Sequence, residues 1–224
     1  MSFIVAIDGT SGSGKTITAR MVAERLGWMY LDTGATYRAV TYWVLKQGKD
    51  PENEKEVTQL LEGLDLDVKN TEEGQRTYVN GEDETNKLRT DEIDRWVTPV
   101  SKMTTVREWL VRVQRKIVDG KNAVVEGRDI GTVVFPNADL KIYMDAKLEV
   151  RAERRKKQKG EAKDIEEVKR DLLRRDYHDS TRKDSPLKRS LNALSLDTTS
   201  LSIEEQVERA VSEIKHLNES TSSI

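Results

Sequence analysis

Residues 9–16 read Gly-Thr-Ser-Gly-Ser-Gly-Lys-Thr and satisfy in full the spacing G-x-x-x-x-G-K-[ST]. Glycines in such a run let the backbone curl until several N–H groups point into one concavity. A helix that opens at the end of the run favours an anion at its N-terminus. Lys15 is then placed to reach the β- and γ-phosphates, and the Thr16 hydroxyl to ligate Mg²⁺. Gly9, Thr10, Ser11, Gly12, Ser13, Gly14, Lys15 and Thr16 are therefore read as the binding loop for a nucleoside triphosphate.

A phosphate loop serves switches, motors and kinases for small acceptors. A switch needs D-x-x-G, and no Asp of this chain has Gly three positions on. The Asn86-Lys87 pair continues as Leu88-Arg89, without the Asp that guanine readers carry. A motor needs a paired acid at the end of an apolar strand. Residues 122–129, NAVVEGRD, split Glu126 from Asp129 by Gly-Arg. A kinase for a small acceptor needs a second anion site and cations to neutralise the transferring phosphoryl group. Arg38, Arg107 and Arg128 each sit in or just after an apolar element and could serve as that site. Arg151, Arg154 and Arg155 are a second supply, with 151 and 155 on one face of a helix. Taken alone, the run at 151–159, six of nine residues basic, reads as a solvated charged face. No aromatic residue interleaves it, so it lacks the stacking contacts of a single-strand nucleic-acid binder.

The elements that must position these groups follow from periodicity and turn signals. Residues 3–7 read as a buried strand before the loop, and residues 15–26 as a helix that Gly27 stops. A short apolar run at 28–31 precedes a helix over 36–46, and a further helix spans 57–64. DLDVKN and QRTYVNGE predict antiparallel strands joined by TEEG, with a second turn at Asn80-Gly81. Helices are expected over 91–101, 104–118, 147–159, 164–178 and 203–217. Strands are expected over 123–125 and 140–144 and within LNALSLDTT. Strands alternating with helices at both ends predict an α/β domain with a parallel sheet and right-handed crossovers.

Composition narrows the class further. The 224 residues carry 38 Lys plus Arg and 40 Asp plus Glu, a formal net charge of -2. That balance excludes a whole-surface nucleic-acid or membrane binder. Cysteine is absent, which excludes a disulfide scaffold, a thiolate metal site and a Cys nucleophile. His178 and His216 lie in separate helical segments and make a poor metal site. Trp28, Trp43, Trp96 and Trp109 read as packing residues. No apolar stretch approaches the ~20 residues of a membrane-spanning helix. Residues 1–9 carry no basic leader of a secretory signal, so a cytoplasmic location is expected.

Five stretches in order then carry a resemblance. They are GTSGSGKT at 9–16, LDTGATYR at 31–38, VRE at 106–108, GRDIGTVVFPNADLKIYMDA at 127–146 and RRDYHDSTRKDSPL at 174–187. Over residues 4–217 the chain resembles the bacterial-type cytidylate kinases, long-form nucleoside monophosphate kinases. The resemblance implies a P-loop, adenylate-kinase-like fold: a parallel sheet flanked by helices. It implies a core of residues 1–61, 119–150 and 164–224, a monophosphate-binding insertion of residues 62–118 and a lid of residues 151–163. It implies transfer of the ATP γ-phosphoryl group to CMP or dCMP with Mg²⁺. Thr33, Arg38 and Arg128 would hold the monophosphate. Thr98, Arg107 and Asp129 would surround the cytosine. Arg175, Asp179 and Arg182 would reach ribose and phosphate, and Arg151, Arg154 and Arg155 would close on ATP. Lys15, Arg128, Arg151, Arg155 and Arg182 make up the expected catalytic set.

Chemistry fits these roles. An acid such as Asp129 accepts from cytosine N4, and Arg107 donates to N3 or O2. Uracil would leave such buried partners unpaired, at ~1–3 kcal/mol each. Four positions depart from many relatives: Thr10 where they have Pro, Thr16-Ile17 where they have Ser-Thr, and Thr36 where they have Met. The readings that compete are a kinase for UMP or a small metabolite, a non-catalytic nucleotide-binding regulator, and an RNA-binding module built on residues 151–159. The expected partners are ATP and CMP or dCMP, without nucleic acid or membrane, and the expected state is a monomer.

Overall fold

The structure is a computed structural model that describes residues 2–159 and 164–221. The chain packs as two compact units, Met1–Met29 with Asn122–Ile224, and Tyr30–Lys121. In chain order the elements are β1 (Ile4–Gly9), α1 (Lys15–Leu26), β2 (Met29–Asp32), α2 (Thr33–Lys46), α3 (Glu54–Leu61), β3 (Leu66–Thr71), β4 (Gly74–Val79) and β5 (Glu82–Asp83). A 3₁₀ turn (Thr85–Lys87), α4 (Asp91–Lys102), α5 (Thr104–Val118), β6 (Ala123–Gly127) and a π-helical turn (Ile130–Val134) follow. The last elements are β7 (Leu140–Asp145), α6 (Leu148–Lys159), α7 (Ile165–Ser180), β8 (Leu194–Asp197) and α8 (Ile203–Thr221). The predicted alternation of strands and helices is borne out.

In the first unit β6, β1, β7 and β8 lie side by side in that order, all parallel. A strand covered on both faces has no reason to alternate polar and apolar residues, and Val5, Ala6 and Ile7 of β1 are fully buried. The register pairs Asp8 with Gly127 and Gly9 with Met144. The carboxyl ends of β1, β6 and β7 are therefore level. The segments leaving them, residues 10–16, 128–129 and 146–147, start from one edge of the sheet, where open parallel sheets bind ligands. Helix α1 packs against α8, with Thr18 Oγ1 donating to Gln206 Oε1 at 2.8 Å.

Two features of this unit have no signal in periodicity. The π-helical turn carries the wide ring of its type, with Phe135 N–H donating to Ile130 O at 2.7 Å. Its first N–H groups are taken by Asp8, whose two carboxylate oxygens accept from Ile130 at 2.8 Å and Gly131 at 2.7 Å. A carboxylate 122 residues away in the chain thus stands where a local cap would.

In the second unit α2 opens on Asp32, whose side chain accepts the Ala35 N–H at 3.2 Å. Strands β3 and β4 form the hairpin that TEEG predicts, with Thr71 opposite Gly74. Asn80 and Gly81 both take positive φ, 50° and 83°. They join Val79 to Glu82 by the two-residue turn that suits the twist of paired strands. The core gathers Val40, Val44, Val57, Leu61, Val106 and Leu110, with Trp43 and Trp109 packed on it. Within that packing Glu84 is 1 % exposed. It is held by Lys87 at 2.6 Å, Lys46 at 3.0 Å and the Tyr42 hydroxyl at 2.8 Å. No helix among the described residues is long and apolar enough to cross a membrane.

Candidate active site

The loop that leaves β1 is held in shape from several sides. At Gly9 a side chain is impossible: a Cβ there would lie 1.9 Å from the Met144 carbonyl oxygen of the neighbouring strand. Gly12 has φ +80°, and its Cβ would meet the Arg151 backbone at 3.1 Å. The Thr10 hydroxyl donates to Asp145 Oδ1 at 2.6 Å. Ser13 Oγ donates to Thr10 O at 3.0 Å, and Lys15 Nζ donates to the same carbonyl at 2.8 Å. Gly14 precedes the first helical residue, Lys15. Thr16 follows, exposed, in the first turn of α1.

Two of the three arginines expected of the lid, Arg151 and Arg154, reach this loop from α6. Arg151 is buried and donates to Ser11 O and Ala146 O, each at 3.0 Å. Arg154 donates to Ser13 O at 3.4 Å and to Thr198 Oγ1 and O at 2.9 and 2.7 Å. Arg155, one residue on, donates to Gln158 Oε1 at 3.2 Å. Residues 160–163 of the expected lid lie outside the described residues.

A second group of charges stands beside the loop in the same unit. Arg128 Nε donates to Asp179 Oδ2 at 2.8 Å, and Arg182 pairs with Asp179 Oδ1 at 3.1 Å. Arg175 lies on the same helix as Asp179, one turn earlier. Burial alone would raise the Asp179 carboxyl, but Arg128 and Arg182 outweigh it and hold its pKa below the ordinary carboxylate value. Lys15 experiences the opposite balance. Burial, then the Arg128 guanidinium, push it down to about 7 against the pull of Glu126, Asp179 and Asp8. Asp8 is pushed up to about 6, chiefly by burial, although its two backbone hydrogen bonds oppose the shift. Asp129 is buried immediately before the π-helical turn.

The remaining candidates belong to the second unit. Thr33 is the buried first residue of α2. Arg38, on the same helix, pairs with Asp94 of α4 at 2.6 Å and donates to Leu88 O at 3.4 Å. Thr98 is half-buried on α4. Arg107 of α5 is buried, donates to Ser101 O at 3.0 Å and lies 5.4 Å from the centre of the Tyr37 ring.

Sequence reading does not single out Asp8, Asp145, Asp176 or Thr198, although each bonds the loop or the segments beside it. Asp8 could be suspected because it adjoins Gly9. Asp145 and Asp176 fall inside the stretches that carry the resemblance but are given no role by it, and nothing local points from them or from Thr198 to loop partners 135 to 185 residues away.

Comparison with known proteins agrees with this geometry. The family model described as cytidylate kinase matches residues 5–216. A protein named cytidylate kinase from Thermotoga petrophila (strain ATCC BAA-488 / DSM 13995 / JCM 10881 / RKU-1) is 46 % identical, over 93 % of this chain and 95 % of that protein. One of the same name from Geobacillus sp. (strain WCH70) is 44 % identical, over 92 % of this chain and 93 % of that protein. Among solved structures, a gluconokinase from Sinorhizobium meliloti 1021 superposes with a TM-score of 0.51 at 14 % identity, covering 98 % of this chain and 95 % of that one. At that identity the likeness speaks for the fold alone, a parallel sheet flanked by helices with a phosphate loop at its edge. Because the family model runs almost end to end and relatives well above a third identical span the same length, the chain belongs to the cytidylate kinase family.

Proposed function

We propose that the chain transfers the γ-phosphoryl group of ATP to CMP or dCMP, forming ADP and CDP or dCDP. The observation that carries this reading is the buried Lys15 at the mouth of the loop, under the field of Arg128 and Asp179. A phosphate loop alone binds a nucleotide; a loop with a further arginine cluster beside it can also neutralise a phosphoryl group in transfer.

An oxygen of the acceptor monophosphate attacks the γ-phosphorus. The bond from that phosphorus to the β–γ bridging oxygen breaks, and its electron pair leaves with ADP. The attacking group is already an anion, so no dedicated general base is needed. Lys15 and the loop N–H groups hold the triphosphate; Arg154 braces the loop. Thr33, Arg38 and Arg128 hold the acceptor phosphate. Thr98, Arg107 and Asp129 read cytosine, and Arg175, Asp179 and Arg182 orient ribose and phosphate. Arg151, Arg155 and Arg182, with Lys15 and Arg128, offset charge on the group in transit. Functionally the division is a core of residues 1–61, 119–150 and 164–224, an insertion of residues 62–118 and a lid of residues 151–163.

The donor set also suits Mg²⁺ arriving with the nucleotide. The Thr16 hydroxyl is exposed and has no hydrogen-bond partner among the described residues. No group of three His, Cys, Asp or Glu among the described residues forms a dedicated cage. Mg²⁺ in nucleotide sites commonly takes one or two protein oxygens and draws its other ligands from phosphates and water. When bound it would neutralise charge on the β- and γ-phosphate oxygens, and Thr16 would be its protein ligand.

ADP release from Mg-ATP, measured with CMP, dCMP, UMP, AMP, GMP and no acceptor, tests the reading. Fast turnover with CMP and dCMP and little with the rest is expected. ATP binding without acceptor-dependent turnover would overturn it. Asp129→Ala should lower kcat/KM for CMP more than for UMP, by about tenfold if one buried hydrogen bond to a charged group is lost. Equal losses on both acceptors would remove its base-reading role.

A further inference from the structure

Asp176 stands next to Arg175 on α7, inside the stretch 174–187 but with no role among those the resemblance implies. Its Oδ1 accepts the Ser11 N–H at 3.0 Å. Its Oδ2 pairs with Arg151 Nη1. The same Nη1 donates to Ser11 O at 3.0 Å, while Arg151 Nε donates to Ala146 O at 3.0 Å. One residue of the phosphate loop is thus held at both its N–H and its C=O by a single carboxylate–guanidinium pair. The pair is drawn from α7 and α6, the two helices that flank residues 160–163. Both side chains are largely out of solvent, at 8 % and 17 % exposure.

We propose that Asp176 is a positioning residue for ATP: it presets the Arg151 guanidinium and the Ser11 peptide before the nucleotide arrives. The loop contains three glycines and would otherwise be costly to order, as would a long arginine side chain. Ordering them during folding removes that cost from the binding step. The carboxylate acts through Arg151, because a guanidinium anchored at Nε and Nη1 keeps only its remaining donors for phosphate. A plain structural ion pair would change stability and leave the two substrates equally affected. A positioning pair must act on ATP and spare the acceptor.

The inference rests on the proposed ATP binding, and its test reads that binding without turnover. ATP is titrated calorimetrically, in the absence of acceptor, into wild type, Asp176→Asn, Asp176→Glu, Arg151→Ala and the double variant Asp176→Asn/Arg151→Ala. Steady-state KM values for ATP and CMP are measured alongside. Asp176→Asn keeps the shape and an acceptor for Ser11 but loses the charge that holds Arg151. It should weaken ATP binding and raise KM for ATP by about tenfold, with KM for CMP within about twofold. Asp176→Glu should recover part of that loss. In the Arg151→Ala background, Asp176→Asn should add less than about twofold, because coupled residues do not add. ATP binding unchanged in Asp176→Asn would overturn the proposal. So would a full tenfold loss in the Arg151→Ala background, or equal rises in both KM values. Should Asp176→Asn fail to fold by circular dichroism, Asp176→Glu decides, since a displaced carboxylate must still shift KM for ATP and not for CMP. Wild type that binds ATP but does not turn over CMP would defeat the functional reading and leave this one standing.

Discussion

The ammonium of Lys15 is 5 % exposed, donates to a carbonyl of its own loop and has its pKa pushed down to about 7, first by burial and then by Arg128. An incoming triphosphate favours the charged form. Above about pH 7 the free protein must therefore take up a proton when ATP binds. ATP affinity should fall as pH rises through that value, and calorimetry in buffers of different ionisation enthalpy should show the uptake at pH 8. The sign for folding is the reverse. Between about 7 and 10.5 the unfolded chain binds the proton that the folded chain has lost, so stability from this group rises with pH there. Denaturant unfolding of wild type against Lys15→Met should show wild type gaining on the variant across that window. A constant difference would mean that Lys15 keeps its proton when buried.

At the scale of elements, α2 is set by side chains that imitate backbone. Asn70 accepts the Tyr30 N–H at 2.8 Å and donates to the Tyr30 carbonyl at 2.9 Å. Gln75, its partner across the β3–β4 hairpin, accepts the Asp32 N–H at 2.7 Å. These amides hold the residues just before Thr33. Thr36 adds a lock inside the helix: its hydroxyl donates to Thr33 O at 2.7 Å and accepts from Gln114 Nε2 of α5 at 2.9 Å. Both residues are fully buried, and Gln114 Oε1 has no hydrogen-bond partner among the described residues. This is what the chain does with the Thr36 hydroxyl. Thr36→Val should cost about 1–3 kcal/mol in thermal or denaturant unfolding, since it leaves the rest of the Gln114 amide buried and unpaired. Adding Gln114→Met should recover most of that loss. If the double variant is no better than the single one, the pair is not the source of the cost.

For the whole molecule, the two compact units each have a core of their own, and the charge is nearly balanced at -2. Exposed large apolar side chains among the described residues are Leu173 and Tyr177, one turn apart on α7, and Leu191 in a loop, too few for a broad patch. We propose a monomer on that basis. Sedimentation equilibrium at micromolar concentration should give a mass near 25.6 kDa. A mass twice that would call for a self-association surface that these residues do not outline.

Residues 9–16 and the alternation of strands and helices were determined by sequence alone, because both are local. Glycine spacing decides what the loop backbone can do, and periodicities of two and 3.6 decide which segments bury a face. The hairpin over 66–79 and the turn at Asn80-Gly81 were legible for the same reason. The residues themselves offered Arg38, Arg107, Arg128, Arg151, Arg154 and Arg155 as cations; the resemblance added Asp129, Arg175, Asp179 and Arg182 and gave each a substrate group, but no partner within the chain. The tertiary structure decided the rest. It placed Asp8 on the N–H groups of residues 130 and 131, Asp176 and Arg151 on Ser11, and Gln114 on Thr36. These contacts join positions 78 to 165 apart in the chain. A carboxylate or amide in sequence carries no mark of its distant partner, and its charge state depends on burial that only the packed chain creates. That is why the loop could be read from eight letters, while the pKa of its lysine could not.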